Sequence, residues 1–257
     1  YSKHEIGHYI LGEPDTLNRF NPGNIRKFVD RQYKLDEMVL FSFGKTPFDK
    51  VVKLAEKHFN IKKEAKENKK RVAPTELKPI SKIFKKNTSQ SHVAFGWNTL
   101  NMYDSRKYAL YLLILGGGSM NSRLNSSLRE KNGLVYNVES NHTLYTDTGF
   151  LSIYYACDPK NRDKCKRLIQ KELKRIMERE LTPIQLSLAK RQLMGQMGIA
   201  AENNENSALA MAKSYLHFDR YLSLDVLFSK INDVTSNQII ELANEIFKSS
   251  EFEVVYL

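Results

Sequence analysis

The chain has 257 residues, and its 40 Lys and Arg against 29 Asp and Glu give it a formal charge of +11. A hydrophobic share of 41% is enough to build a sizeable core, so the composition excludes a wholly disordered chain. Two cysteines are too few for a disulfide framework. No apolar run approaches the roughly 18 residues that span a bilayer, and the sequence therefore predicts a soluble chain without a membrane span.

The segment before residue 62 has the pattern of part of an α/β layer. Asn21-Pro22 is typical of a helix start, with Asn as the N-cap and Pro at the first helical position. The apolar run Met38–Gly44 predicts a buried strand that ends at glycine, and Pro47 opens a second helix. A helix, a strand and a helix are too little for a finished domain. We therefore predict that residues 1–61 are the C-terminal part of a first, truncated domain.

The positive charge is concentrated in a lysine-rich run at 62–71, which also contains Glu64 and Glu67. Charge runs of this kind are typical of solvated linkers. No zinc-finger spacing, RNA-recognition motif or arginine-rich arm accompanies the run. We predict a charged interdomain linker at 62–79 and no nucleic-acid partner.

The sequence after the linker predicts a complete second domain at 80–257. Thr182-Pro183-Ile184-Gln185 has the spacing of a capping box, and Thr235 is a further N-cap. The predicted elements are strands at 81–86 and 91–98, helices at 104–115 and 119–131, strands at 134–145 and 149–157, helices at about 159–180, 183–201, 205–218, from 223 and at 235–247, and a strand at 252–257. This order predicts an α+β fold of two related domains, with helices packed on mainly antiparallel sheets.

His4-Glu5-Ile6-Gly7-His8 matches the His-Glu-x-x-His pattern of zinc proteases. On a helix that spacing places both imidazoles on one face, with Glu5 available as a general base. Glycines at 7 and 12 argue against a helix here, and no third ligand follows at the usual spacing. A loop with two solvent-facing histidines is the interpretation we favour, so we predict no metal site at His4, Glu5 and His8.

The remaining candidates for chemistry are weaker. Gly116–Ser119 precedes a helix, as in some phosphate sites, but it lacks the Gly-Lys-Ser/Thr ending, and tight helix packing is the favoured interpretation. Cys157 and Cys165 lack companions for a metal site and are predicted to be unpaired thiols. The other histidines are scattered and suggest no constellation.

The segment 115–136 contains Leu-Gly-Gly-Gly, then Ser-Arg-Leu, then Arg-Glu-x-x-Gly-Leu-x-Tyr. In this it resembles the pitrilysin/insulinase family of zinc metallopeptidases, in the group of mitochondrial processing peptidase and the bacterial processing proteases. Gly7–Gly12, Tyr33, Met38–Gly44 and 145–150 extend the match over nearly the whole chain, although Glu37 stands where the family usually has Asn.

The resemblance implies where the metal is held. The family's zinc motif is His-x-x-Glu-His with a further Glu downstream, and the motif does not occur in residues 1–257. It would precede Tyr1, as would any targeting segment, and the stretch around His4–His8 would follow the zinc site. The resemblance thus implies zinc in the full-length protein and no cofactor in this portion.

The resemblance also implies auxiliary catalytic roles for Arg129 and Tyr136, which stand at the spacing of a family Arg and Tyr that reach the active site from the opposite half of a clamshell. Arg129 would offer a planar fork to a substrate carbonyl. Tyr136 would offer its phenol O–H to the oxyanion formed when water attacks the peptide. The alternative is structural: Arg129 caps its helix and Tyr136 packs in a strand.

The leading hypothesis is the C-terminal part of a zinc-dependent metalloendopeptidase that hydrolyses peptides in a closed chamber. On this hypothesis residues 1–257 alone are inactive, the substrate is a peptide or unfolded polypeptide, and the protein forms a homodimer or a heterodimer with a related subunit. The alternative is a non-catalytic scaffold or partner subunit of the same family.

Overall fold

The computed structural model describes residues 1, 4–59, 72–74, 80–86, 88–115, 120–249 and 251–257. The chain forms two compact units. The first unit combines Tyr1–Lys70 with Gly198–Leu224, and the second unit combines Arg71–Met197 with Asp225–Leu257. Residues 198–224, which the sequence assigns to the second domain, thus cluster with the first unit. Most of the predicted linker lies outside the described residues.

Helices and one mixed sheet make up the described structure. The α-helices are α1 (Pro14–Leu17), α2 (Pro22–Gln32), α3 (Phe48–His58), α4 (Lys107–Leu115), α5 (Met120–Leu124), α6 (Arg162–Glu178), α7 (Pro183–Glu202), α8 (Asn204–Phe218), α9 (Leu224–Asn232) and α10 (Ser236–Phe247). A π-helix at Asn125–Glu130 follows α5, and 3₁₀ turns occupy Glu5–Gly7, Leu35–Glu37 and Pro159–Asn161. The strands are β1 (Ser81–Phe84), β2 (Ser91–Thr99), β3 (Val135–Leu144), β4 (Gly149–Cys157) and β5 (Phe252–Tyr256). No described helix is both long and apolar enough to cross a bilayer.

Helix starts follow the predicted caps. The Asn21 side chain accepts a hydrogen bond from the Asn24 N–H at 3.0 Å, with Pro22 at the first position of α2. Thr182 and Gln185 form the predicted capping box before α7, where the Gln185 side chain accepts from the Thr182 N–H at 3.0 Å. Thr235 forms a second capping box at the start of α10. These caps satisfy N–H groups that have no partner inside the helix.

The strand predicted at Met38–Gly44 is wrong, because residues 38–44 form no strand in the described chain. Met38 has the extended backbone of a strand, with φ −115° and ψ 146°. A strand also requires ladder hydrogen bonds to a neighbour, and the described residues supply none for this segment. The described residues therefore place no neighbouring strand beside residues 38–44.

The sheet has the order β1-β5-β2-β4-β3. β1 and β5 pair in parallel, and the other neighbouring strands pair antiparallel. β3 and β4 form the hairpin that the turn at 146–149 predicts. The mainly antiparallel sheet confirms the predicted α+β class.

The core of the second unit lies on one face of this sheet. Side chains of β2 and β4 alternate, so that Val93, Phe95, Leu151 and Ile153 are buried while their neighbours face the other side. The helix α10 packs on α4, on α6 and on β2. There Trp97 meets Phe247 edge to face, with ring centroids 5.3 Å apart. Full burial of each large side chain contributes about 1.5–3 kcal/mol.

Candidate functional site

Arg129 is carried by a π-helical segment rather than by a regular α-helix. The π-helix begins directly after α5, and the Lys131 N–H donates to the Ser126 C=O across five residues, at 3.0 Å. Such a segment holds one residue more per turn than an α-helix and turns the following side chains around the axis. Leu128 stays buried on the core side, while Arg129 is exposed. π-Helical insertions are frequent at functional sites.

A tight turn connects Arg129 to the next strand. The N–H groups of Gly133 and Leu134 donate back to the C=O groups of Arg129 and Leu128, both at 2.9 Å. Gly133 has φ +58°, a left-handed conformation that favours glycine. The side chain of Asn132 donates to the Ser127 C=O at 2.8 Å and satisfies a carbonyl near the end of the π-helix. The chain therefore passes from the π-helix to β3 within four residues.

Tyr136 lies where β3 departs from regular pairing with β4. Val135 pairs with Cys157, but the next paired residue is Val138, opposite Tyr155, and the register shifts between them. This bulge leaves Tyr136 and Asn137 exposed in succession, and Tyr136 is 85% exposed. β-Bulges often re-aim a side chain near a functional site. The bulge thus presents the Tyr136 ring to solvent instead of packing it on the sheet.

Neither the Arg129 guanidinium nor the Tyr136 hydroxyl is held by another described residue. Among the described residues, no hydrogen bond or ion pair holds the Arg129 guanidinium, and the Tyr136 hydroxyl has no hydrogen-bond partner. The structural alternative requires Arg129 to cap its helix and Tyr136 to pack in a strand. Both groups instead face solvent, where a ligand could bind them.

Two further asparagines join the helical segment to β3. The Asn121 carboxamide oxygen accepts from the Ser140 N–H at 2.7 Å and from its hydroxyl at 2.6 Å. The Asn121 amide donates to the Ser140 C=O at 3.2 Å, and the Asn125 amide donates to the Val138 C=O at 3.2 Å. Sequence reasoning did not single out these residues. The sequence feature that could have indicated them is the presence of three asparagines between 121 and 132, because asparagine is a poor helix former.

The His-Glu-x-x-His stretch does not form a helical face. Residues 5–7 are a 3₁₀ turn, with His4 before it and His8 after it. The His4 ring Nδ1 accepts from the Ile6 N–H at 3.2 Å, so this nitrogen serves the turn. No group of three or more His, Cys, Asp and Glu side chains converges to bind a metal in the part of the chain that the structure describes. This 3₁₀ turn differs from the single helical face on which the zinc-protease pattern holds its two histidines.

The two cysteines and His142 are the other described residues that the sequence offers as candidates for chemistry. Cys157 and Cys165 are both buried, unpaired thiols, as predicted, and burial raises the pKa of Cys165 to about 12. His142 is packed against Tyr111 with ring centroids 5.1 Å apart, and burial lowers its pKa. Gly116–Ser119 lies outside the described residues.

Comparison with known proteins gives consistent matches along the chain. The family model described as "Peptidase M16 inactive domain" matches residues 19–193. The uncharacterized zinc protease YmxG of Bacillus subtilis is 30% identical over 249 residues, which are 96% of this chain and 60% of that protein. An uncharacterized zinc protease of Rickettsia felis is 30% identical over 259 residues, 97% of this chain and 60% of that protein. The chain thus spans about 60% of the length of these relatives.

Solved structures share the fold. A protease from Helicobacter pylori has a TM-score of 0.78 and 21% identity, with 96% of this chain and 61% of that chain covered. A peptidase M16 inactive domain from Pseudomonas fluorescens has a TM-score of 0.62 and 22% identity, covering 72% of this chain and 45% of that chain. The family match and the motif at 115–136 agree, and the chain belongs to the peptidase M16 family, over the region that includes the family's inactive domain.

Proposed function

We propose that this chain is the C-terminal portion of a zinc metalloendopeptidase that hydrolyses peptides or unfolded polypeptides in a closed chamber. Membership of the M16 family and the naming of its relatives as zinc proteases support the reaction class. The described residues offer no metal cluster, and the proposal assigns the zinc ligands to the part of the longer relatives that this chain does not match. Zinc would supply the water activation there.

The observation that carries the proposal is the pair of exposed, unengaged groups at Arg129 and Tyr136. The guanidinium would bind a substrate backbone carbonyl through two parallel N–H groups. The phenol O–H would donate to the oxygen that gains negative charge as water attacks the scissile carbonyl. A donor aimed at that oxygen stabilises the transition state more than the ground state, so its main effect is on kcat.

The direct test is peptidase activity of the protein at its full encoded length, measured with an unfolded polypeptide and with quenched fluorescent peptides. Tyr136→Phe removes the donor and keeps the ring, and we expect kcat to fall about a hundredfold. Tyr145→Phe, just beyond the other end of β3, is the matched control and should leave kcat unchanged. An unchanged kcat in Tyr136→Phe would remove Tyr136 from the mechanism. Residues 1–257 alone should show no activity.

Two domains joined by a linker are the organisation that we propose. Residues 1–61 would complete a first domain, 62–79 would link the domains, and 80–257 would form the second. Support comes from the exposed apolar side chains of α2 and α3 and from those of the segment 38–44, which together need further structure to cover them. A homodimer or a heterodimer with a related subunit is the proposed assembly, to be measured by light scattering of the full-length protein.

The second candidate function is a non-catalytic scaffold or partner subunit. It is favoured by the description of the matching domain as inactive. Reading the coding sequence upstream of residue 1 tests the two candidates against each other. An intact His-x-x-Glu-His there, with zinc bound by the purified protein, supports the peptidase, whereas a degenerate motif and no bound zinc support the scaffold.

A further inference from the structure

β3 is an edge strand of the sheet that the described residues form, since the sheet order ends with it. Backbone groups on the outer side of an edge strand have no ladder partner and are usually left to water or covered by another segment. In this protein the side chains of Asn121 and Asn125 bind them. Ser140 contributes its N–H and C=O, and Val138 contributes its C=O.

The Asn121 carboxamide takes the place of a neighbouring strand. A side-chain amide carries the same acceptor and donor as a peptide group. Asn121 uses both on one residue, accepting from the Ser140 N–H and donating to the Ser140 C=O, and it also accepts from the Ser140 hydroxyl. Ser140 is 1% exposed, so losing these bonds would leave buried polar groups unsatisfied.

The Asn125 side chain also bonds to the backbone of Asn121. The Asn125 amide donates to the Asn121 C=O at 3.1 Å as well as to β3. Asn121 belongs to α5 and Asn125 opens the π-helix that carries Arg129, while their partners lie just after the bulge that carries Tyr136. One hydrogen-bond network therefore fixes the helical segment with Arg129 against the strand with Tyr136.

We propose that Asn121 and Asn125 are positioning residues that hold Arg129 and Tyr136 at a fixed mutual spacing. This inference rests on the proposed function of that pair. Reacting groups that shift by an ångström lose much of their effect, even when every chemical group is retained. The asparagines act through the backbone of β3 and the π-helix and do not themselves contact substrate.

The test uses Asn121→Ala in the full-length protein. We expect kcat to fall about tenfold with little change in KM, because the donor at Tyr136 is displaced while binding elsewhere is kept. Asn121→Asp retains the acceptor for the Ser140 N–H and hydroxyl but loses the donor, so its kcat should lie between those of wild type and Asn121→Ala. If Asn121→Ala does not fold, the kcat of Asn121→Asp is compared with that of wild type instead.

Asn244→Ala is the matched control. Asn244 is a partly buried helical asparagine whose amide donates to the Met177 and Ile240 C=O groups, both at 2.9 Å, on the contact between α10 and α6. Its loss should lower stability to a similar extent and leave kcat unchanged. An equal drop of kcat in Asn244→Ala would show that lost stability alone explains the effect and would overturn the proposal.

A double-mutant cycle with Tyr136→Phe separates this inference from the proposed function. If Asn121 acts through Tyr136, Asn121→Ala adds little to the loss that Tyr136→Phe already causes. Fully additive losses would overturn the positioning role, as would faster amide exchange at Ser140 in Asn121→Ala with unchanged kcat. Failure of the proposed function appears differently, as an unchanged kcat in Tyr136→Phe alone.

Discussion

Residues 4–59 and the second unit contain equally clear local signals but very different burial. α2 begins with a capping box, and the apolar residues of α2 and α3 fall on one face, yet no described residue of 4–59 is buried. α10 has the same kind of cap and apolar face, and four of its residues are buried. A cap and an apolar stripe are local properties, whereas burial depends on a partner surface. The helices of 4–59 are therefore amphipathic, but among the described residues their apolar faces bury no core.

A matched pair of leucines tests this difference and carries the largest expected effect. Leu242 on α10 is 1% exposed, and Leu54 on α3 is 45% exposed. Leu242→Ala should reduce the free energy of unfolding by about 2–5 kcal/mol through lost burial and the cavity left behind. In residues 1–257, Leu54→Ala should change the opening free energy of α3 by less than about 0.5 kcal/mol. Amide hydrogen exchange read for each helix measures both values.

The same pair sharpens the domain proposal. If the full-length protein covers the apolar face of α3, Leu54→Ala should cost about 2–3 kcal/mol there while remaining nearly neutral in residues 1–257. An equal, small effect in both proteins would contradict the proposed completion of a first domain. A similarly large loss of stability from Leu54→Ala in residues 1–257 would show that α3 is already packed there, as α10 is in the second unit.

Two glycines of the second unit give the next largest effects, with opposite signs. A Cβ added at Gly149 would lie 1.9 Å from the Leu100 carbonyl oxygen, which is backbone and cannot move aside cheaply, whereas one added at Gly195 in α7 meets open space. Gly149→Ala should destabilise by about 3 kcal/mol through overpacking. Gly195→Ala should stabilise by about 0.5–1 kcal/mol, because alanine loses less backbone entropy in a helix.

Urea unfolding followed by tryptophan fluorescence measures both glycine variants. Trp97 is the one tryptophan of the sequence and is buried in the second unit, so its emission reports that unit. Destabilisation by Gly195→Ala, or a neutral Gly149→Ala, would show that the packing around these backbones differs from the structure.

His142 provides the smallest effect, through pH. Burial lowers its pKa in the folded protein below the ordinary value of 6.5. Above pH 6.5 the imidazole is neutral in both states and its contribution to stability is complete. As pH falls from 6.5 toward the folded pKa, the unfolded chain takes up the proton first, so stability declines. The slope from this one group is at most about 1.4 kcal/mol per pH unit.

His142→Phe keeps an aromatic ring against Tyr111 and cannot titrate. We expect the free energy of unfolding of this variant to fall less steeply between pH 6.5 and 5 than that of wild type, measured by urea titrations at several pH values. If the free energy of unfolding falls equally steeply in both proteins, His142 does not cause this part of the loss of stability in acid.

The sequence predicts the caps, the β3–β4 hairpin and the α+β class because each depends on neighbouring residues or on a two-residue alternation. It fails at 38–44, where the apolar run is present but a strand needs a partner far along the chain or outside it. The spacing of the apolar residues does not predict the π-helix either. Leu124 and Leu128 are four apart, a spacing that an α-helix satisfies equally well, and the extra residue that re-aims Arg129 adds no signal of its own.

The candidate site was predicted in part. Arg129 and Tyr136 were identified through the family resemblance, and their exposure could not be read from the residues. The bulge at Tyr136 arises from the register between β3 and β4, which is a property of two strands and not of one. Asn121 and Asn125 act through bonds to residues 13 to 19 positions away, a distance that local patterns do not encode.

The position of β5 has a consequence for biosynthesis. β5 is made after every other strand of the sheet, yet it lies between β1 and β2 and is the one strand neighbour that β1 has among the described residues. On the ribosome, β2, β3 and β4 can pair as soon as they emerge, but β1 must wait for the end of translation of this segment. A nascent chain stalled before Phe252 would therefore leave β1 and the outer edge of β2 without the strand that joins them.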